Sequence, residues 1–379
     1  MYGEHSSMLE HVEIYSSLFH LRMHRKECVE SRDAAQNWEH AYVEQLEKLG
    51  FKRGLATPCA FYMKEKELRV VVHGDDFTVL GREEDLDWFR REISKAYEVK
   101  FRGRIGPEDK DQKSIRILNR VVEWTDAGIR YEADQRHAEI IVRKLGLSKE
   151  GKEISTPGVK KEYSEDLQNE LEPADATMYR ALVARANYLS QDRSNIQYAV
   201  KELSRGMSQP TLGDWQGLQR LGRYLVNKER IIVNFDYQQS VKKIQVWVDT
   251  NYAGCIKTRK STSGGVVFFG SHKVKAWSVT QDIIALSSGE AEFYGIVKGS
   301  SVGSGIQSVL RDLGCNVKLA VCTDASAAKG IASRRGLGKV RHIEVNQLWI
   351  QERVASGDIE VIKVDGSSNL ADALTKHVP

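Results

Sequence analysis

Four acids in the C-terminal part of this chain stand where carboxylates can do chemistry. Asp249 ends an alternation in which Ile244, Val246 and Val248 interleave with Gln245 and Trp247, the period of a half-buried strand. Glu292 falls in the first turn of an apolar helix pattern, Asp324 follows the strand-like run Lys318–Thr323, and Asp372 lies in a helix-like C-terminal stretch. Like charges brought together repel, so convergence of these four would call for divalent cations to neutralise them. Hard oxygen ligands suit Mg²⁺ or Mn²⁺, and two such ions about 4 Å apart can activate water and stabilise a leaving oxygen in phosphodiester hydrolysis. On pattern alone, helix N-caps and solvated strand-edge acids account for the same positions. His20 and His24, at i and i+4, offer a second metal-ligand spacing, but no HExxH accompanies them and an exposed helix explains them as well.

The elements that must position the acids begin near residue 242. Gly265–Gly270 and Lys273–Val279 read as two further strands. Ser287-Ser-Gly-Glu290 has the form of a capping box, and the helix it opens runs through Phe293, Ile296 and Val297 towards Leu313. Ala325–Ser333 and Ile343–Val354 read as helices, Ile359–Val364 as a fifth strand, and Asn369–Lys376 as a terminal helix. Upstream, Ala35, Trp38, Ala41, Tyr42, Leu46 and Leu49 define an amphipathic helix closed by Gly50. A hairpin of Cys59–Met63 and Leu68–His73, the acidic turn Gly74-Asp75-Asp76, a strand Phe77–Leu80 and a helix Glu83–Tyr97 follow, an α+β order. Short strands at Ile115–Leu118 and Val121–Trp124, a helix at Gln135–Leu145, a polar linker from Thr156 to Pro173 and a largely helical stretch over 177–230 complete the chain, while residues 1–32 show no clear period.

Composition limits the classes open to such a molecule. With 379 residues, 41% hydrophobic and 28% charged, the chain has material for two or three cores and is no fibre, disordered tail or small disulfide scaffold. No run approaches the roughly 18 apolar residues of a membrane span. Five scattered cysteines without CxxC spacing read as reduced thiols, and the N-terminal residues have the pattern of neither a signal nor a transit peptide, so an intracellular protein is expected. A net charge of +4 permits a polyanionic partner.

The motifs around the acids sharpen this. Asp249-Thr-Asn-Tyr-Ala-Gly-Cys and Thr258-Arg-Lys-Ser-Thr-Ser-Gly264 look like DADWAG…RKSTSG; Ala285-Leu-Ser-Ser-Gly-Glu-Ala-Glu-Phe293 is similar to ALSSTEAEY; Cys322-Thr-Asp-Ala-Ser-Ala matches CDNQSA. Arg341-His-Ile-Glu matches KHID, and Leu370-Ala-Asp-Ala-Leu-Thr-Lys376 matches LADxLTK. With these five motifs in order the sequence resembles the reverse transcriptase–ribonuclease H part of copia-type retrotransposon Pol polyproteins. Arg32-Asp-Ala-Ala-Gln-Asn-Trp38 with Gly50-Phe-Lys is similar to that family's QAPRxW…GF, and Val71-Val-His-Gly-Asp-Asp-Phe77 takes the place of its YVDD hairpin. Thr156-Pro157, the Tyr179–Leu189 helix and Gln209-Pro210 to Leu225 look like its thumb-side region.

The resemblance implies an α+β and α/β chain: an unassigned segment 1–32, a partial palm over 33–105, a thumb-like connecting region over 106–240, and a ribonuclease H-like mixed five-stranded sheet with helices over 241–379. It makes Asp249, Glu292, Asp324 and Asp372 the catalytic, metal-binding set for two Mg²⁺ or Mn²⁺ ions, with Glu290 as the rival of Glu292. Glu290 fits the capping role that its spacing from Ser287 gives it. The loop Asp365-Gly-Ser-Ser lacks the product-release histidine of many ribonucleases H; His342, earlier in the chain, reads as a substrate-side residue or a surface imidazole. Arg259, Lys260, Arg335, Lys339, Arg341 and His342 are expected to contact an RNA–DNA hybrid, or to form a solvated charged face.

Asp75 and Asp76 would be remnant polymerase ligands. A further palm aspartate is expected on an upstream strand, yet residues 1–32 contain none, and the fingers that close over a nucleotide are not found. The expected function is hydrolysis of the RNA strand of hybrids with polymerase activity lost. The alternatives are an inactive nucleic-acid-binding remnant, or a polymerase completed by the missing part of Pol. A cytoplasmic virus-like particle or the nucleus is the expected location, with no membrane partner.

Overall fold

In a computed structural model, residues 11–17, 34–148, 154–160, 164–226, 228–338 and 340–377 are described, the first of these segments as backbone only. His20, His24 and Lys339 lie outside the described residues. The chain divides into two compact units, 1–130 with 305–317, and 131–304 with 318–379.

The first unit is built on β1 (His11–Ser17), α1 (Ala34–Lys48), β2 (Lys52–Arg53), β3 (Ala60–Met63), β4 (Leu68–His73), β5 (Asp76–Gly81), α2 (Glu83–Ala96) and β6 (Val99–Ile105). β2 to β5 form an antiparallel meander, and β1 lies between β5 and β6, antiparallel to both. Alternate residues of β4 and β5 (Leu68, Val70, Val72; Phe77, Val79) are buried with Tyr42 and Leu46 of α1 and Leu86, Phe89 and Ile93 of α2. Helices thus cover one face of the sheet, and the period-2 pattern fixes its register. β7 (Ser114–Ile117) and β8 (Arg120–Thr125) form a hairpin, and β9 (Gly128–Glu132) follows. Residues 305–317 close this unit: Asp312 Oδ2 accepts from the N–H groups of Ala56 (2.8 Å) and Thr57 (2.9 Å), and Arg69 Nε donates to the Leu313 carbonyl (2.9 Å).

The second unit begins with α3 (Arg136–Lys144), α4 (Pro173–Ser190), α5 (Gln197–Ser204) and α6 (Leu212–Val226), packed around Tyr179, Leu182, Val200, Leu218 and Leu221. After β10 (Ile232–Asp236) come β11 (Lys243–Asn251), β12 (Thr262–Phe269), β13 (His272–Thr280), α7 (Ser288–Asp312), β14 (Lys318–Thr323), α8 (Ser326–Ser333), α9 (Trp349–Ala355) and β15 (Ile359–Lys363). The sheet order is β13-β12-β11-β14-β15. β13, β12 and β11 are antiparallel, and β14 and β15 run parallel to β11. This is the mixed five-stranded sheet with helices expected from the sequence.

Two helices differ from expectation. The C-terminal stretch forms only a 3₁₀ turn, Asp372–Leu374. Its start is tied down by Asn369, whose Nδ2 donates to the Val248 carbonyl (3.0 Å) and whose Oδ1 accepts from Ala371 N–H (3.1 Å), side-chain bonds that compete with helix formation. Ile343–Val354 splits into a 3₁₀ turn, Val345–Gln347, and α9. Among the described residues no helix is long and apolar enough to cross a membrane.

Candidate active site

β11 and β14 supply two of the acids. Trp247 is level with Cys322 in their parallel pairing, so Asp249 and Asp324, each two residues further on, stand side by side. β11 does not end at Asp249 as expected but runs on to Asn251, paired with β12, whereas Asp324 directly follows β14. α7 supplies the third, and glycine lets it come close enough. A Cβ on Gly295 would stand 2.6 Å from Thr250 Oγ1, and one on Gly299 would stand 2.4 Å from Val248 Cγ1. These bare helix positions let α7 lie directly on β11, which sets Glu292 beside Asp249. Carboxylate oxygens of Asp249, Glu292 and Asp324 all lie within 4.8 Å of one another.

Asp372 is not part of that triad. It is paired with Lys376 (Oδ1 to Nζ 2.6 Å), half-exposed, yet near enough for its charge to act on Asp249. The turn that carries it is seated on β11 by Asn369 and by Thr375, whose hydroxyl donates to Asp249 Oδ2. Thr375 lies in the LADxLTK-like motif, but nothing in the sequence showed its role, which depends on a loop returning to a strand more than a hundred residues earlier.

The triad bears the mark of forced proximity. Burial, followed by the charges of Asp249 and Asp324, pushes the Glu292 carboxyl up to about 8. Burial raises Asp249 as well, helped by Asp324 and Asp372 and opposed by the Thr375 hydroxyl. Glu292 Oε2 is buried without a hydrogen-bond partner. Three convergent carboxylates, one with an orphaned oxygen, fit a hard divalent cation.

Glu290 is turned elsewhere. Ser287 Oγ accepts from its N–H (3.2 Å), as in a capping box, while its carboxylate accepts from Leu286 N–H (2.9 Å), the Tyr294 hydroxyl (2.9 Å) and His342 Nε2 (2.7 Å). Burial works against the anion, but these donors together hold its carboxyl below the usual range.

The basic residues sit on two loops. Arg259 and Lys260 lie between β11 and β12, where the loop folds around Cys255: Cys255 N–H donates to the Lys260 carbonyl (3.2 Å), Arg259 N–H to the Cys255 carbonyl (2.8 Å), and Thr258 N–H to Cys255 Sγ (3.3 Å). Arg259 is exposed, as are Arg335 and Arg341 on the segment after α8.

In the first unit, Gly74 at φ +61° and Asp75 turn the chain from β4 into β5, and Trp38 Nε1 donates to the Gly74 carbonyl (2.7 Å). Burial and then Asp75 raise the Asp76 carboxyl, against Arg102 and His73. Among the described side chains no third acid joins this pair to make a cluster like the triad. β1 runs alongside, with Ser16 level with Asp76.

No protein-family model matches the chain. Over 205 residues, 53% of its length, it is 31% identical to the retrovirus-related Pol polyprotein from transposon RE2 of Arabidopsis thaliana. Over 360 residues, 92% of its length, it is 23% identical to the Pol polyprotein from transposon TNT 1-94 of Nicotiana tabacum. The chain is a homologue of copia-type transposon Pol polyproteins. It spans 14% of the first of these relatives and 26% of the second. Among solved structures, a foamy viral protease-reverse transcriptase in complex with double-stranded DNA aligns with 93% of this Pol homologue and 56% of its own chain, with a TM-score of 0.51 and 9% identity, a likeness of fold.

Proposed function

We propose that the second unit cleaves the RNA strand of RNA–DNA hybrids at the Asp249–Glu292–Asp324 triad. The observation that carries this is the convergence of three carboxylates on one point with a buried, unpaired Glu292 oxygen. Asp249 and Asp324 hold the shared position from the adjacent strands β11 and β14, Asp249 within the first and Asp324 just past the second, and Glu292 completes the set from the helix. Thr375 orients Asp249 through its Oδ2, leaving the other oxygen for the ligand. Asp372 joins when Lys376 releases it. Two divalent ions, Mg²⁺ or Mn²⁺, when bound, supply the positive charge that activates water and stabilises the leaving oxygen. Arg259, Lys260, Arg335, Arg341 and Lys339 hold backbone phosphates. Asp75 and Asp76 stand without a third described acid, and the first unit is proposed to be inactive as a polymerase.

The test uses the full chain and an end-labelled RNA–DNA hybrid, in Mg²⁺, in chelator, and with Asp249→Asn or Asp324→Asn. Expected are internal cuts in the RNA strand that need the metal and fall at least about a hundredfold in either variant, since each removes a charge the site is built to place. A folded chain that binds the hybrid equally in Mg²⁺ and in chelator and cuts nothing would make it a nucleic-acid-binding remnant.

A further inference from the structure

Glu290 and His342 form a pair that the triad does not use. Glu290 stands in the first turn of α7, about 3 Å along the helix from Glu292. Its side chain is 1% exposed, and three donors converge on it. A carboxylate in this setting only accepts, so the Nε2 of His342 carries a proton and Nδ1 is left for another group. The tautomer is assigned from this bonding pattern. His342 itself is 45% exposed, with exposed Arg341 before it and Ile343, 3% exposed, after it.

Ile343 already anchors this segment by burial, so the histidine is not needed as a tether. A buried anion that fixes the plane of a half-exposed ring serves to aim it, as carboxylates aim histidines in other sites. We propose that Glu290 is a positioning residue that directs His342 at the RNA strand, where Nδ1, the acceptor nitrogen of this tautomer, accepts a hydrogen bond from a 2′-hydroxyl. This rests on the cleavage reading above and deepens it.

Glu290→Gln, His342→Gln and His342→Ala in the full chain test it through KM, kcat and hybrid affinity. Expected is a KM about tenfold higher, the loss of one hydrogen bond in an occupied site, with kcat within about twofold and the melting temperature of His342→Gln close to that of the parent chain. Affinity is measured in chelator. 2′-O-methyl groups placed one at a time along the RNA should weaken the parent at one position where His342→Ala loses nothing more. A slope of log affinity against log salt that falls by about 0.9 in His342→Ala would instead show a charged ring on phosphate and overturn the assignment. Unchanged KM and affinity in all three variants, or a lower melting temperature as the sole effect, would overturn the proposal. Because affinity is read without cleavage, a chain that cuts no hybrid but whose variants bind less tightly would refute the nuclease and keep the positioning pair; normal cutting with unmoved variants would refute the pair alone.

Discussion

Glu292 occupies a place that an ionised carboxylate resists, and this has a consequence for stability. Its folded value of about 8 lies above the ordinary 4.5, so between these limits the folded state holds a proton that the unfolded chain has released. Stability contributed by that proton is present below pH 4.5 and is lost as the pH rises towards 8. The metal-free protein should therefore melt at progressively lower temperature from pH 5 to pH 8, and excess Mg²⁺ should remove much of that slope. Glu292→Gln should flatten the slope without metal while abolishing cleavage. Melting curves at four or five pH values, with and without metal, decide it; a parent slope no steeper than that of the variant would contradict the assignment of pressure to Glu292. At this scale Asp324 and Glu292 were legible because strand and helix patterns name the residue at an element's end, and Asp249 from the alternation alone, since β11 runs on past it to Asn251. His342 as the partner of Glu290 was not, because no local pattern joins two residues 52 positions apart. Lys376, which holds Asp372, was hidden for a related reason: its sequence motif gives no rotamer.

The element that decides the site is α7, and it is glycine that lets this helix lie where it does. In isolation Gly295, Gly299 and Gly303 weaken a helix by roughly 0.5–1 kcal/mol each relative to alanine. Against the sheet they are required, since a Cβ on Gly299 would stand 2.4 Å from Val248 Cγ1 and one on Gly303 would stand 2.6 Å from Leu319 Cδ1. Gly299→Val should cost about 1–3 kcal/mol by overpacking. It should also lower cleavage about a hundredfold, the effect of a misplacement near 1 Å, by lifting Glu292 off the triad. Gly305→Ala, on the same helix with nothing within 4 Å of the added carbon, should leave cleavage intact and raise stability slightly. Equal effects from both substitutions would mean that the glycines do not set the helix height. The sequence announced this helix through its capping box and the sheet through alternating apolar residues. It concealed β1, although Val12 and Ile14 alternate with polar neighbours there, because the pattern is short and the flanking residues dilute it. It overstated the terminal helix because propensity carries no information about Asn369 reaching back to Val248.

At the scale of the whole molecule, the two acidic sites differ in a way that makes their fates separable. The triad gathers three carboxylates from three elements of the second unit. The Asp75–Asp76 turn is well built, with Trp38 holding the Gly74 carbonyl and β1 running beside β5, but it lacks a third acid among the described side chains. Residues 1–32 contain no aspartate, and the acid that β1, His-Val-Glu-Ile-Tyr-Ser-Ser, carries is Glu13. Phosphoryl transfer depends almost wholly on placing charge around the reacting groups, so an incomplete ligand set forfeits most of the rate. One experiment reads both activities: a primer annealed to an RNA template, the full chain, deoxynucleotides, and Mg²⁺ or Mn²⁺. The RNA in the duplex should be cut and the primer should not lengthen. Extension by this chain alone would show that the acidic pair suffices or that another group completes it. Extension only after the remaining part of Pol is added would place the missing ligand in that polypeptide, leaving the carboxylate triad as the chemistry this chain performs unaided.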